Sequence, residues 1–238
     1  MAGRIRKPAM KHVDVIIPTL MQPHAQAAFD SLKYLPFDYT LHTITEKGKW
    51  PDLINIGLRR RDDGNDVLIM DDDVRLHPNT FRSFVKEYDM ADIFGFKLLF
   101  ADGTIQHGGG VYLGNGCITH REHKKPNREM NPAYVCHVTA SLMYIKGHVI
   151  DDLRRMEKFS GEQFEDVDWN WRALKRGYKI MFLPDSATHL ESGTKGSNPE
   201  FINQMLISQR ELLNKHFEFD SAFEHKVERE FPIELQSI

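Results

Sequence analysis

Cysteine is scarce in this chain. Two residues, Cys117 and Cys136, form neither a CxxC pair nor a disulfide framework across 238 positions. That usage excludes a small disulfide-stapled domain and suits a reducing compartment. Long apolar runs are missing too. A membrane-spanning helix needs roughly 18 or more consecutive apolar residues, and no stretch approaches that. The basic start (Arg4, Arg6, Lys7) runs into Pro8 and polar residues where a secretory signal would carry its apolar region. A cytoplasmic location is therefore expected. Neither sign of charge is in excess, since 31 Lys and Arg face 34 Asp and Glu for a net −3. Nothing electrostatic points to nucleic acid or an anionic membrane. The chain also lacks a GxGxxG and a Walker lysine loop, which disfavours dinucleotide and P-loop enzymes.

What is present is ordinary globular material, 41% hydrophobic and 27% charged, enough to bury a substantial core. Residues 1–11 read as a loose leader. Val13–Ile17 and Tyr39–Ile44 read as strands, with helices around His24–Leu35 and Leu53–Arg61. Val67–Met70 is a third strand, and alternation of strand and helix predicts a parallel sheet built from crossovers. A helix is predicted over Asn79–Tyr88 with Asn79 as its N-cap, then a strand over Ile93–Phe100. Residues 119–132 read as an exposed loop, and Val135–Ile145 returns to strand. A helix ends at Gly177, Tyr178–Leu183 is a strand, and Asn198–Phe217 is an amphipathic helix with Phe201, Met205 and Leu212 inward.

Chemistry concentrates where the third strand ends. Asp71, Asp72 and Asp73 follow an apolar run directly. Three carboxylates cannot all be desolvated, so they belong at the sheet's edge, in water or around a cation. Ligands of open α/β sheets collect outside the carboxyl ends of the strands. A divalent-metal site and a solvated acidic turn both fit this run. Further on, Glu165 and Asp166 open a helix, where unpaired N–H groups favour carboxylates, so capping alone would explain them. His107-Gly108-Gly109-Gly110 needs either a tight bend or a close ligand. The pair His120 and His123 reads as surface. Trp171 lies on the core stripe of its helix, whereas Trp169 is open to a stacking role. His189 precedes a small-residue loop, Glu191 to Gly196, whose Lys195 can reach a phosphate.

In order and spacing these pieces resemble the family-2 glycosyltransferases of the GT-A fold. The matching stretches are DVIIPT, GKWPDLINIG, VLIMDDDVRLHP, DGTIQHGGG, VTASLMYIKG, EDVDWNWRALKRGYKI and PDSATHLES. The resemblance implies an α/β fold with a mostly parallel sheet flanked by helices. It implies one domain over 12–217, with a nucleotide-sugar half (12–100), an acceptor and catalytic half (101–217), and a tail over 218–238. It implies an inverting transferase that moves a sugar from a nucleotide diphosphate to an acceptor hydroxyl on a glycan, protein or small molecule. Asp166 would be the general base. Asp73, Asp71 and His189 would hold Mn²⁺ or Mg²⁺. Pro18, Thr19, Glu46, Asn55, Asp71, Asp72 and Lys195 would face the donor nucleotide. His107, Gly108, Gly109, Thr139, Ala140, Glu165 and Trp169 would line the sugar and acceptor pocket. Asp168 would point elsewhere on its helix. Many relatives end the second strand in an Asp, where Thr45-Glu46-Lys47 stands here. Competing readings are a non-catalytic sugar-nucleotide or glycan binder, a phosphatase of the haloacid-dehalogenase type, and a nucleotidyltransferase. The phosphatase wants a Thr where Arg75 stands, and the nucleotidyltransferase wants a basic glycine-rich loop where Thr19–Pro23 stands.

Overall fold

Strands β1 (Val13–Pro18) and β3 (Asp66–Met70) are buried at every residue, so the sheet that contains them must be covered on both faces. A computed structural model describes residues 11–112, 118–161, 163–190 and 199–216. From its start the chain alternates β1, α1 (Ala25–Ser31), β2 (Tyr39–Ile44), α2 (Trp50–Arg60) and β3, then the two-residue β4 (Val74–Arg75) and α3 (Arg82–Glu87). Next come β5 (Ile93–Leu99), β6 (Ile105–His107), β7 (Gly110–Tyr112), β8 (Ile118–His120) and β9 (Ala133–Tyr134). The remainder is β10 (Leu142–Ile145), α4 (Gly147–Leu153), α5 (Glu165–Lys175), β11 (Ile180–His189) and α6 (Pro199–Lys215).

The sheet runs β2-β1-β3-β10-β5-β11-β4, with β6 on β5 and β9 on β11. Along that path β2, β1, β3, β5 and β11 point one way, and β10 and β4 point the other. It is the mostly parallel sheet expected. Two cores cover it. One packs Val15, Leu68, Phe94 and Tyr144 with Phe81 and Phe84 from the α3 region. The opposite one packs Ile16, Ile69 and Met143 with Ile54 of α2, Val149 of α4 and Trp169 of α5. A third cluster joins Trp171 of α5 to Leu212 of α6. None of the described helices is long and apolar enough to cross a membrane.

Several predicted boundaries move. The Asn79–Tyr88 helix begins only at Arg82, and Asn79 does not cap it; its carbonyl accepts from the Arg82 N–H instead. The cap comes from far away, with Asp185 accepting the Ser83 N–H. Val135–Ile145 is not one strand. Val135 to Ser141 is irregular and only Leu142–Ile145 joins the sheet. The strand expected to stop at Leu183 runs on to His189 across a bulge at Pro184 and Asp185. Of the three residues expected to face inward on α6, Leu212 is buried, whereas Phe201 and Met205 are half-buried. The 218–238 tail and the loop holding Lys195 lie outside the described residues.

Two buried carboxylates fasten this framework. Asp66, at the start of β3, accepts the hydroxyls of Tyr88 and Tyr144, each at 2.6 Å, and the Gly147 N–H at 2.8 Å. It thereby fixes β3, β10, the α3 region and the start of α4 to one point. Burial and the adjacent carboxylate push both tyrosine hydroxyls far above their ordinary pKa, so they remain donors. Asp168, inside α5 and fully buried, meets Arg172 Nε at 2.8 Å, Lys215 Nζ at 2.6 Å and His216 Nε2 at 2.8 Å. Burial works to raise its pKa, but the hydrogen bond from His216 and the Arg172 and Lys215 charges prevail and hold it at about 2.

Two outcomes follow from these anchors. Asp66→Ala leaves two buried hydroxyls and an N–H without their acceptor, so unfolding in urea should show a loss of about 3 kcal/mol or more. A loss below about 1 kcal/mol would mean water replaces the carboxylate. The folded pKa of Asp168 lies below its ordinary value, so its contribution is complete above about pH 4 and disappears as pH falls towards 2. Asp168→Asn should cost about 2 kcal/mol at neutral pH and flatten the acid limb of a urea-midpoint-versus-pH curve.

Candidate functional site

The turn after β3 separates its three acids. The Asp71 N–H donates to the Ser141 carbonyl at 3.0 Å, and the Val74 N–H closes back on the Asp71 carbonyl at 3.2 Å. Asp72 turns towards the end of β1, accepting Thr19 Oγ1 at 2.5 Å and standing 3.5 Å from His24 Nε2. Asp71 accepts the Trp50 indole N–H at 3.0 Å. Burial pushes the Asp71 carboxyl up, and the nearby His189 works against that rise. Asp73 faces the other way, into the end of β11. There His189 pairs in register with Val74 of β4, which puts its Nε2 3.1 Å from Asp73 Oδ1.

The other ring nitrogen of His189 donates to the Gln106 side-chain oxygen at 2.6 Å. That bond fixes the imidazole, and it points Nε2 and its lone pair at a carboxylate. Two acceptors in that position need a proton or a cation between them. Asp71, Asp73 and His189 offer one ligand atom each within 4.8 Å of one another, the one such group among the described residues. An oxygen-rich set with one imidazole fits Mn²⁺ or Mg²⁺ better than the sulfur-rich or all-nitrogen sets of other metals.

The second acidic group reaches the same place through one peptide. Phe164, just before α5, holds φ +72° and ψ 12°, a left-handed conformation that costs a non-glycine residue of order 1 kcal/mol. The helix therefore starts abruptly, with Glu165 buried and Asp166 half-exposed. Asp166 Oδ2 accepts the Ala140 N–H at 3.2 Å, and its Oδ1 accepts its successor's N–H at 2.8 Å. Ala140 and Ser141 thus hydrogen-bond both acids, Asp166 through the one and Asp71 through the other. Thr139 is half-buried beside them, its hydroxyl accepting the Ser141 N–H at 3.4 Å.

The structure brings together Asp71, Asp73, His189, Asp166, Thr139 and Ala140, with Thr19 and Pro18 at the adjoining end of β1. Other expected residues are placed differently. Trp169 is fully buried in the core and presents no face for stacking. His107 turns inward, its Nδ1 2.9 Å from that of His120, and burial holds its pKa well down. The glycines beside it make room for protein. A Cβ on Gly108 would meet the Arg121 carbonyl at 2.6 Å, and Gly109, at φ +91°, lies against Val135 and Phe182. Asn55 spends both ends of its amide on the backbone of Met156, donating and accepting at 2.9 Å. Glu46 is paired with Arg60. Lys195 lies outside the described residues. Sequence reasoning missed Trp50, His24 and Gln106. Trp50 and Gln106 both sit inside stretches that carried the resemblance, where the glycines drew attention from the polar groups next to them.

No family model matches the chain, and no curated protein does. Solved structures do. A mannosyltransferase from Pyrobaculum calidifontis, in complex with GDP-Man and Mn²⁺, superposes on 93% of this chain and 70% of its own, at 12% identity and TM-score 0.59. TarS from S. aureus, in complex with UDP-GlcNAc, matches 93% of this chain and 77% of its own, at 16% identity and TM-score 0.53. GalNAc-T7, with UDP, GalNAc and Mn²⁺, matches 90% of this chain over 50% of its own length, at 12% identity and TM-score 0.53. At these identities the likeness is one of architecture, covering the β2-β1-β3 half and the β5-β11 half alike. The chain has the GT-A fold of the nucleotide-sugar glycosyltransferases.

Proposed function

We propose that this protein is a metal-dependent, inverting glycosyltransferase of the family-2 type, transferring a sugar from a nucleotide diphosphate to an acceptor hydroxyl. The reading rests above all on one observation. The Ala140–Ser141 segment is hydrogen-bonded at once to Asp166 and to Asp71 of the ligand group, so a carboxylate base and a cation site share one mouth. The neighbours in fold support it, since two of the three were solved with Mn²⁺ and all three with a nucleotide or nucleotide sugar.

In this reading residues 12–100 bind the donor and 101–217 supply the base and the acceptor side. Thr19 and Asp72 face the nucleotide, and Asp71, Asp73 and His189 would hold Mn²⁺ or Mg²⁺. The bound cation would neutralise negative charge on the leaving nucleoside diphosphate. Asp166 takes the proton of the acceptor hydroxyl while that oxygen attacks the anomeric carbon from the face opposite the diphosphate. The bond to the diphosphate breaks with its electron pair on the phosphate oxygen, and the configuration inverts. The Ala140 N–H, bonded to one carboxylate oxygen, orients Asp166. Gln106 positions His189 by holding its far nitrogen.

The deciding experiment is calorimetry of UDP, GDP, CDP and dTDP with and without Mn²⁺, followed by transfer assays. One nucleotide should bind in a Mn²⁺-dependent way, and Asp73→Ala should abolish that dependence. Asp166→Asn should keep donor binding and lose transfer by about 10³-fold, within the range of a general base. Binding unaffected by Mn²⁺, or normal turnover in Asp166→Asn, would refute the assignment. Gln106→Leu touches no donor atom in this reading, yet it should weaken Mn²⁺ binding about 10- to 100-fold, as loss of a ligand's supporting hydrogen bond does. Unchanged Mn²⁺ affinity would remove Gln106 from the site.

A further inference from the structure

The outer edge of β11 has two short partners with a gap between them. β9 pairs with Met181 and Phe182, and β4 pairs with Thr188 and His189. The bulge at Pro184 and Asp185 falls in the gap, and a cleft of about 970 Å³ lies there, walled by α3 and by the 127–132 segment. None of the proposed metal or base residues lines it.

Its lining carries four basic side chains, Arg82, Lys86, Lys97 and Arg128, against two acidic ones, Asp185 and Glu129. Lys97 is the unusual member. It sits in β5, paired with Ser186, and is 6% exposed. Lysine is almost never buried so far without a carboxylate partner. Here the hydrogen bond of its ammonium is to the Arg128 carbonyl, at 3.0 Å. An ammonium has three N–H donors, and a single carbonyl satisfies one of them. Burial holds the Lys97 pKa down, with Asp185 and Glu129 working in the other direction. Neither acid makes a salt bridge to it. Asp185 caps Ser83 and faces Arg82 at 3.4 Å, and Glu129 is an exposed residue. Arg82 and Lys86 are exposed at the rim, while Arg128 is engaged by Glu122 at 3.2 Å.

We propose that this cleft is an oxyanion-binding subsite, taking a phosphate or carboxylate group with Lys97 as its buried contact and Arg82 and Lys86 at its rim. A buried ammonium and an exposed guanidinium suit such a group, one as a point charge and the other as a planar fork. Ser186 precedes His189 by three residues, roughly 10 Å along the strand, so the group held here is not the donor diphosphate. It is either a free oligophosphate or an anionic group carried by the acceptor. The second source rests on the transferase reading, and the first does not.

The test is calorimetry with inorganic pyrophosphate, in EDTA and at constant ionic strength, so that no metal contributes. Saturable binding is expected, weakened about tenfold or more in Lys97→Met and in the doubly substituted rim variant Arg82→Ala, Lys86→Ala, and retained in Asp73→Asn. The rim variant changes only exposed side chains, which keeps the test sound if Lys97→Met fails to fold. Absence of saturable binding, equal affinity in the rim variant, or loss in Asp73→Asn would each overturn the proposal. A panel of phosphate- and uronate-bearing oligosaccharides with their neutral counterparts then separates the sources. Preference for the charged members, competed by pyrophosphate, assigns the subsite to an acceptor; pyrophosphate binding without that preference assigns it to a free anion. Because neither arm uses donor or metal, failure of the transferase reading leaves the binding result intact.

Discussion

The cost of removing a carboxylate from water organises this molecule. Strand β3 carries an acid at each end, and the two ends solve that cost in opposite ways. At Asp66 two tyrosine hydroxyls and a backbone N–H take up the charge within the protein. At Asp71 and Asp73 the partners are an indole N–H and a histidine already committed through its other nitrogen. Four apolar residues of one strand, Val67 to Met70, thus separate the acid at Asp66 from the acids at Asp71 and Asp73. The first is a rivet of the fold, and the second pair is where a cation is expected. Asp168 repeats the first solution on α5, and Asp166, two residues earlier, accepts two backbone N–H groups and stays half-exposed.

Much of the fold was legible in the sequence because short parallel strands bounded by turns announce themselves. Residues 13–17, 39–44 and 67–70 are short apolar or alternating runs bounded by turns, and each is a strand within a residue of its expected bounds. Legibility failed where a distant partner decided the outcome. Helix α3 starts late because Asp185, on a strand a hundred residues on, supplies its cap. The 135–141 stretch has strand-like composition, yet only Val135 bonds to the sheet, through Ile180, and the peptides of His137, Ala140 and Ser141 are spent on Gly110, Asp166 and Asp71.

The candidate site divides along the same line. Runs of like residues, the acids and the glycines, were easy to see, and the structure gathers two of the acids, Asp71 and Asp73, with His189. The glycines beside His107 turned out to admit Arg121, Val135 and Phe182. Single polar residues were the hard ones. Nothing local distinguishes Gln106 from any other glutamine in a turn-rich stretch, and its meaning comes from His189, which the topology delivers by way of β4. Trp169 misled for the converse reason, because an aromatic next to an acid reads as a platform until its helix face is known.

Asn55 illustrates how such a scaffold can diverge. Its amide holds the N–H and the C=O of Met156 and no side-chain atom there. The attachment therefore reads a peptide group, which every amino acid but proline provides in full. Residues around 156 can be exchanged over evolutionary time without loosening their mooring to α2. A recognition surface built on that segment is free to change its vocabulary while its grammar stays fixed.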